Sequence, residues 1–278
     1  MMESLYAVMD VLLPFERLHY TFMKNAQLPM LPTAPLRGLL GTMAVDNKMA
    51  FFSDALGHSA LTGIAIGVVL GWENQMAAML LFGVLWAVLI TFVKHNSKMS
   101  ADTIISVFSS TSIALGLVVL SRGGAFAKYS SVLVGDVLSV TQGDLLALLV
   151  TLIVTAGIWL ALFNPLMLTS VNSPLARSRG VRSRMTEYAF TSLVAVAVMV
   201  SIRWVGVMLI NSLLILPAAA SRNIAKNAAA YMRAAVLISL VCCVAGLVLS
   251  YYLNTSAGAA VVLLCAVVYF VTLPLRRK

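Results

Sequence analysis

Long apolar runs alternate with short polar segments along most of the chain. A helix needs about 20 mostly apolar residues to cross the hydrocarbon core of a bilayer. Runs of this kind occupy Phe51–Gly71, Met76–Val93, Thr103–Leu120, Leu145–Leu162, Ala234–Leu253 and Ala257–Leu273. Tyr188–Ala220 is too long for one crossing and is interrupted by Arg203–Trp204. It divides into two expected helices, Tyr188–Ile202 and Val205–Ala220, which brings the expected crossings to eight. A ninth, Leu28–Val45, is less apolar because it holds Pro29, Pro32, Pro35 and Arg37. Proline inside a helix costs about 3 kcal/mol in water, although neighbouring helices in a membrane bundle compensate in part. Residues 28–45 are therefore expected to form a distorted first crossing, with an interfacial or re-entrant arm as the alternative. Residues 1–25 mix apolar and charged positions and are expected at the membrane surface.

The fold class that follows is an all-α integral membrane bundle of eight or nine transmembrane helices, in a single domain over residues 1–278. Composition agrees with this. Of 278 residues, 61% are hydrophobic and only 10% charged, and the mean hydropathy is +0.97. An ordinary soluble domain is about a quarter charged. The net charge of +9 does not point to nucleic acid, because the basic residues cluster in short segments between crossings. Lys and Arg collect on the cytoplasmic side of membrane proteins. The most basic segment, residues 172–187, carries Arg177, Arg179, Arg182 and Arg184 and is expected to be cytoplasmic. Lys48, Lys94, Lys98, Arg222, Lys226, Arg233 and the C-terminal Arg276–Lys278 then fall on the same side. Arg122, Lys128 and Arg203 fall opposite. Tyr129–Thr141, on that opposite side, is apolar but too short to cross. It is expected to be a re-entrant or capping helix broken at Gly135–Asp136, and Asp136 is a pathway candidate.

The residues that could carry chemistry are few. Asp54 and His58 lie four apart, on one face of a helix, at or inside the edge of a crossing. Ionisable groups in a bilayer usually mark a pathway or a pair, and carboxylate plus imidazole suits Zn²⁺, Mn²⁺ or Fe²⁺. Spacing alone leaves a second reading open, in which Asp54 caps the helix and His58 bonds a neighbouring backbone. Ser59, Gly63, Gly67 and Gly71 form a small-residue stripe on an adjacent face, which lets another helix approach closely. Asn211, Ser212 and Pro217 form a second polar spot. They are read as interhelical glue or as further pathway residues. Asp102 and Glu187 sit at helix boundaries and read as caps. Ser173–Pro174 is a helix start and Gly180 a stop, so residues 173–181 form a short exposed helix or a plain basic loop. Cys242, Cys243 and Cys265 have no metal-ligand spacing and read as buried apolar residues. No Walker A, HExxH or GxSxG motif is present. The chain is not expected to be an enzyme.

Several stretches taken together resemble the permease subunits of the zinc/manganese/iron family of ATP-binding-cassette (ABC) importers. MAFFSDALGHSALTGIAIG is similar to the family signature RRMSFxGDxLAHxxLxGxAxG. VLVGDVLSVTQGDL, NSPLARSRGV, RWVGVMLINSLLILPAAASR and SAGAAVVLLCAVVYF resemble later family segments in order. Asn47–Lys48 and Ser53 depart from the family's basic pair and glycine. The resemblance implies a vitamin-B12-importer-like permease architecture in the bacterial cytoplasmic membrane, with a cytoplasmic C-terminus. It places Asp54 and His58 on the path of a transported divalent metal, with no permanently bound cofactor. It makes Ser173, Pro174, Ala176, Arg177, Gly180 and Val181 the docking element for a cytoplasmic ATPase. The other implied partners are a second permease copy, identical or not, an extracytoplasmic metal-binding protein and membrane lipid. A permease for metal chelates, and a stand-alone ion-coupled carrier or channel, are the alternatives.

Overall fold

The computed structural model describes residues 21–122 and 142–275, which are helical apart from short connections. Asp136 lies outside these residues. The helices in order are α1 (Thr21–Asp46), α2 (Phe52–Val69), α3 (Gln75–Asn96), α4 (Ala101–Arg122) and α5 (Gln142–Val171). They continue as α6 (Ser173–Ser178), α7 (Ser183–Val205), α8 (Val207–Ile224), α9 (Ala228–Leu253) and α10 (Ala257–Thr272). Among the described residues, seven helices are long and apolar enough to cross a membrane: α2, α3, α4, α5, α7, α9 and α10.

The remaining two expected crossings differ from the sequence-based expectation for identifiable reasons. The α8 helix spans 18 residues, Val207–Ile224. It is displaced along the chain from the expected Val205–Ala220, because α7 does not stop at Arg203–Trp204 but continues to Val205, and the break falls at Gly206. Gly206 has φ 78°, a left-handed conformation that favours glycine. In α1, one continuous helix of 26 residues runs through Pro29, Pro32 and Pro35. Each proline removes a backbone donor. Side chains add hydrogen bonds along this stretch: the Thr33 hydroxyl donates to the Pro29 carbonyl at 2.8 Å, and Ser239 Oγ of α9 donates to the Ala34 carbonyl at 2.8 Å. Burial holds the helix together where propensity would not. Leu28, Met30, Ala34, Leu36, Leu40 and Met43 are all buried.

The α1 helix is central and packs against α5, α7, α8 and α9. A Cβ on Gly41 would stand 1.8 Å from the Leu214 carbonyl oxygen of α8. That backbone-to-backbone approach is open only to glycine. Around this centre the helices are of two kinds. Of the α2 crossing, 72% is buried, against 22% of α10 and 28% of α4 and α5. On the outer helices, Leu146, Val150, Ile153, Leu263, Val267 and Phe270 are exposed. They form an apolar outer face suited to lipid. The three cysteines are free and buried.

Candidate functional site

The turn that ends α1 reverses within five residues. Lys48 adopts φ 57°, and the Met49 N–H bonds back to the Ala44 carbonyl at 2.8 Å. The chain therefore enters α2 inside the bundle, with Met49, Phe52 and Ser53 buried. Asp54 lies in the first turn of α2. The residue at the N-cap is Phe51, with no side-chain cap bond, so Asp54 does not serve as the cap. Its carboxylate instead meets two side chains. His58 Nε2 lies 3.6 Å from Asp54 Oδ2. Asn211 of α8 donates from Nδ2 to Asp54 Oδ1 at 3.4 Å.

Asn211 is itself oriented: Ser53 Oγ donates to its Oδ1 at 2.6 Å. The amide therefore spends its acceptor on Ser53 and turns its donor toward Asp54. This requires α2 and α8 to be nearly in contact, and Gly57 permits it. A Cβ there would lie 2.5 Å from Val207 Cγ1. The tertiary fold thus brings Asn211 to the Asp54/His58 pair, although it lies 157 positions from Asp54 in the chain. Ser53 completes the group and was visible in the sequence only as a departure from a family pattern. Its signal was a polar residue beside an ionisable one at the edge of an apolar helix.

The side chains of Asp54 and His58 remain 36% and 29% exposed, so an ion can reach them. They supply one anionic oxygen and one imidazole nitrogen. No cluster of three or more His, Cys, Asp or Glu residues suited to a metal occurs among the described residues. Two such donors would leave half or more of the positions around a transition-metal ion open.

The other expected residues fall in several places. Ser59 is buried, and its hydroxyl bonds the Leu56 carbonyl of its own helix at 2.7 Å. Gly63 and Gly67 face α3, where added Cβ atoms would lie 3.0 Å from Met79 Cα and 2.6 Å from Ala78 Cβ. Gly71 does not belong to this packing stripe. It lies beyond the end of α2 with φ 70° and nothing within 4 Å of an added Cβ, so it shapes the turn. Ser212 is half-buried beside Asn211 on α8, and Pro217 is buried further along the same helix. Asp102 is not a cap, because Ser100 Oγ accepts the Thr103 N–H at 3.2 Å. Arg37 is fully buried in α1. Its Nη2 donates to the Ala197 carbonyl of α7 at 3.0 Å.

The segment after α5 folds as expected from its start and stop residues. Asn172 Oδ1 accepts the Leu175 N–H at 3.0 Å and so caps α6. Pro174 occupies the first turn, where its missing donor costs nothing. Ala176 is fully buried, while Leu175, Arg177 and Arg179 are exposed. Gly180 has φ 77°, and the Val181 N–H returns to the Ala176 carbonyl at 3.0 Å. The result is a compact six-residue helix held to its neighbours by one small face, with a basic and apolar face outward.

The sequence and the fold both match known transporters. The chain is 29% identical over 247 residues to the high-affinity zinc uptake system membrane protein ZnuB of Haemophilus influenzae, covering 88% of this chain and 93% of that protein. It is 29% identical over 262 residues to the manganese import system permease protein ScaB of Streptococcus parasanguinis, covering 93% of each. The solved structure of PsaBC from Streptococcus pneumoniae in complex with Fab shares the fold, with TM-score 0.79 and 24% identity over 98% of this chain and 95% of that one. The family model described as the ABC 3 transport family matches residues 19–276, and with nearly the whole chain so matched, the protein belongs to that family.

Proposed function

We propose that this chain is the membrane-spanning permease subunit of an ABC importer for a divalent transition-metal ion, zinc, manganese or iron. The observation that carries the reading is the meeting of Asp54, His58 and Asn211 between α2 and α8. It lies inside a bundle similar to zinc and manganese permeases. Asp54 and His58 hold the ion briefly, and Asn211 keeps the carboxylate turned toward the imidazole. The cation is cargo, and the chain makes and breaks no covalent bond. ATP hydrolysis belongs to a cytoplasmic partner that docks on α6. An extracytoplasmic binding protein delivers the metal, and a second permease copy completes the pathway.

In this reading α1 and α8 cross the bilayer with the seven apolar helices, giving nine crossings in a vitamin-B12-importer-like arrangement. The protein lies in the bacterial cytoplasmic membrane with its C-terminus inside. Buried side chains support α1 as a crossing despite its three prolines.

The test is uptake of radioactive zinc, manganese and iron by cells carrying the whole importer, with Asp54→Ala and His58→Ala compared at equal membrane levels. Loss of uptake in both supports the site. Full uptake by both variants would sink it.

A further inference from the structure

The carboxylate of Glu187 reads from sequence as a helix-boundary group, yet it forms the tightest charged cluster among the described residues. It accepts from Lys94 Nζ on Oε1 at 2.6 Å. His95 Nε2 lies 3.1 Å from Oε2, an ion-pair distance rather than an aligned hydrogen bond. The side chains of Glu187, His95 and Lys94 are only 15%, 19% and 22% exposed. Two consecutive residues from the last turn of α3 therefore grip both oxygens of one carboxylate near the start of α7. The ring of Tyr188 packs against His95 with centroids 5.8 Å apart.

The position of this clamp matters more than its strength. Only residues 179–182 separate α6 from α7, and they are hydrogen-bonded through Val181. A displacement of α6 is thus delivered to the first turns of α7, where Glu187 sits. Beyond the clamp, α3 and α7 stay in register. Thr91 Oγ1 donates to Thr191 Oγ1 at 3.0 Å, and Gly83 lies so close to Met199 that an added Cβ would fall 2.3 Å from its Cε. In turn α3 carries α2 on Gly63 and Gly67, and α2 carries Asp54 and His58. Packed helices move as units when contacts between them are rigid.

We propose that Glu187 is a positioning residue that couples α6 to the cargo site, by binding α3 to α7 through Lys94 and His95. The inference rests on the proposed docking of an ATPase at α6. Without the clamp, motion of α6 would reach α2 only through the uncharged contacts deeper along α7, and less of it would arrive.

The experiment uses the complete importer, purified with its ATPase and reconstituted in vesicles. It measures three quantities: ATPase copurified, ATP hydrolysed, and metal transported per ATP. For Glu187→Gln the expected result is ATPase retained, hydrolysis retained, and metal per ATP reduced at least about tenfold. The charge swap Lys94→Glu with Glu187→Lys is expected to recover at least half of the ratio. A merely structural role would lower the amount of complex and leave the ratio unchanged. Wild-type metal per ATP in Glu187→Gln would overturn the proposal, as would loss of the ATPase from that variant, which would make Glu187 a docking residue. Failure of the unaltered chain to copurify with an ATPase would instead overturn the docking reading itself.

Discussion

Two imidazole–carboxylate contacts stand out in this protein, and they differ in their third member. On α2, His58 lies 3.6 Å from Asp54, and the nearby side chain is the neutral amide of Asn211. Between α3 and α7, His95 lies 3.1 Å from Glu187, and the nearby side chain is the ammonium of Lys94. The first pair is about a third exposed and the second less than a fifth. A carboxylate already neutralised by a lysine gains little from another cation. One balanced only by a neutral amide and an imidazole has charge left to offer. The same two residue types therefore make an ion-holding pair in one place and a fastener in the other.

The comparison can be broken most forcefully by Asn211→Lys, which gives the open pair the same third member as the closed one. An ammonium about 4 Å from the carboxylate is worth up to about 4 kcal/mol near a protein surface. Uptake is expected to fall by up to about several hundredfold, with the protein still extracted from membranes as a folded species. Next is Asp54→Asn, which keeps the shape and removes the charge. Altering a group beyond the ligands costs about 10- to 100-fold in metal affinity, so losing the anionic ligand is expected to cost about 100-fold or more in uptake at limiting metal. His58→Gln removes the neutral ligand and is expected to cost about tenfold in the same assay. The smallest effect sharpens the other side. Lys94→Asn leaves His95 on Glu187, and a partly exposed ion pair is worth about 1 kcal/mol or less. Metal transported per ATP is expected to fall by a factor of about 2 to 5.

Much of the architecture was legible in the chain. Seven crossings follow from apolar runs, because lipid demands that every backbone group be satisfied within a helix. The α6 helix was legible from Ser173–Pro174 and Gly180, since caps and stops are local chemistry. The placement of Asp54 beside His58 followed from helical spacing. Other features were not legible. Nothing local marks Gly206 rather than Arg203–Trp204 as the break between α7 and α8. The arginine and tryptophan stand out in hydropathy, whereas only the glycine can adopt the positive φ of the turn. Gly71 shares the four-residue spacing of Gly63 and Gly67, yet the helix ends before it.

The sequence by itself determined that this is a polytopic helical membrane protein, and it singled out Asp54, His58 and Asn211 as polar residues in apolar surroundings. These are properties of composition and period, which a chain carries before it folds. Only the tertiary structure decided which of those residues meet. Ser53 and Asp54 find Asn211 because Gly57 lets α2 lie against Val207 of α8. Likewise Glu187 finds Lys94 and His95 because α3 and α7 run side by side through Gly83 and Thr91. Three prolines and a buried arginine persist in α1 for the same kind of reason. Packing from four neighbouring helices overrides a local preference against helix.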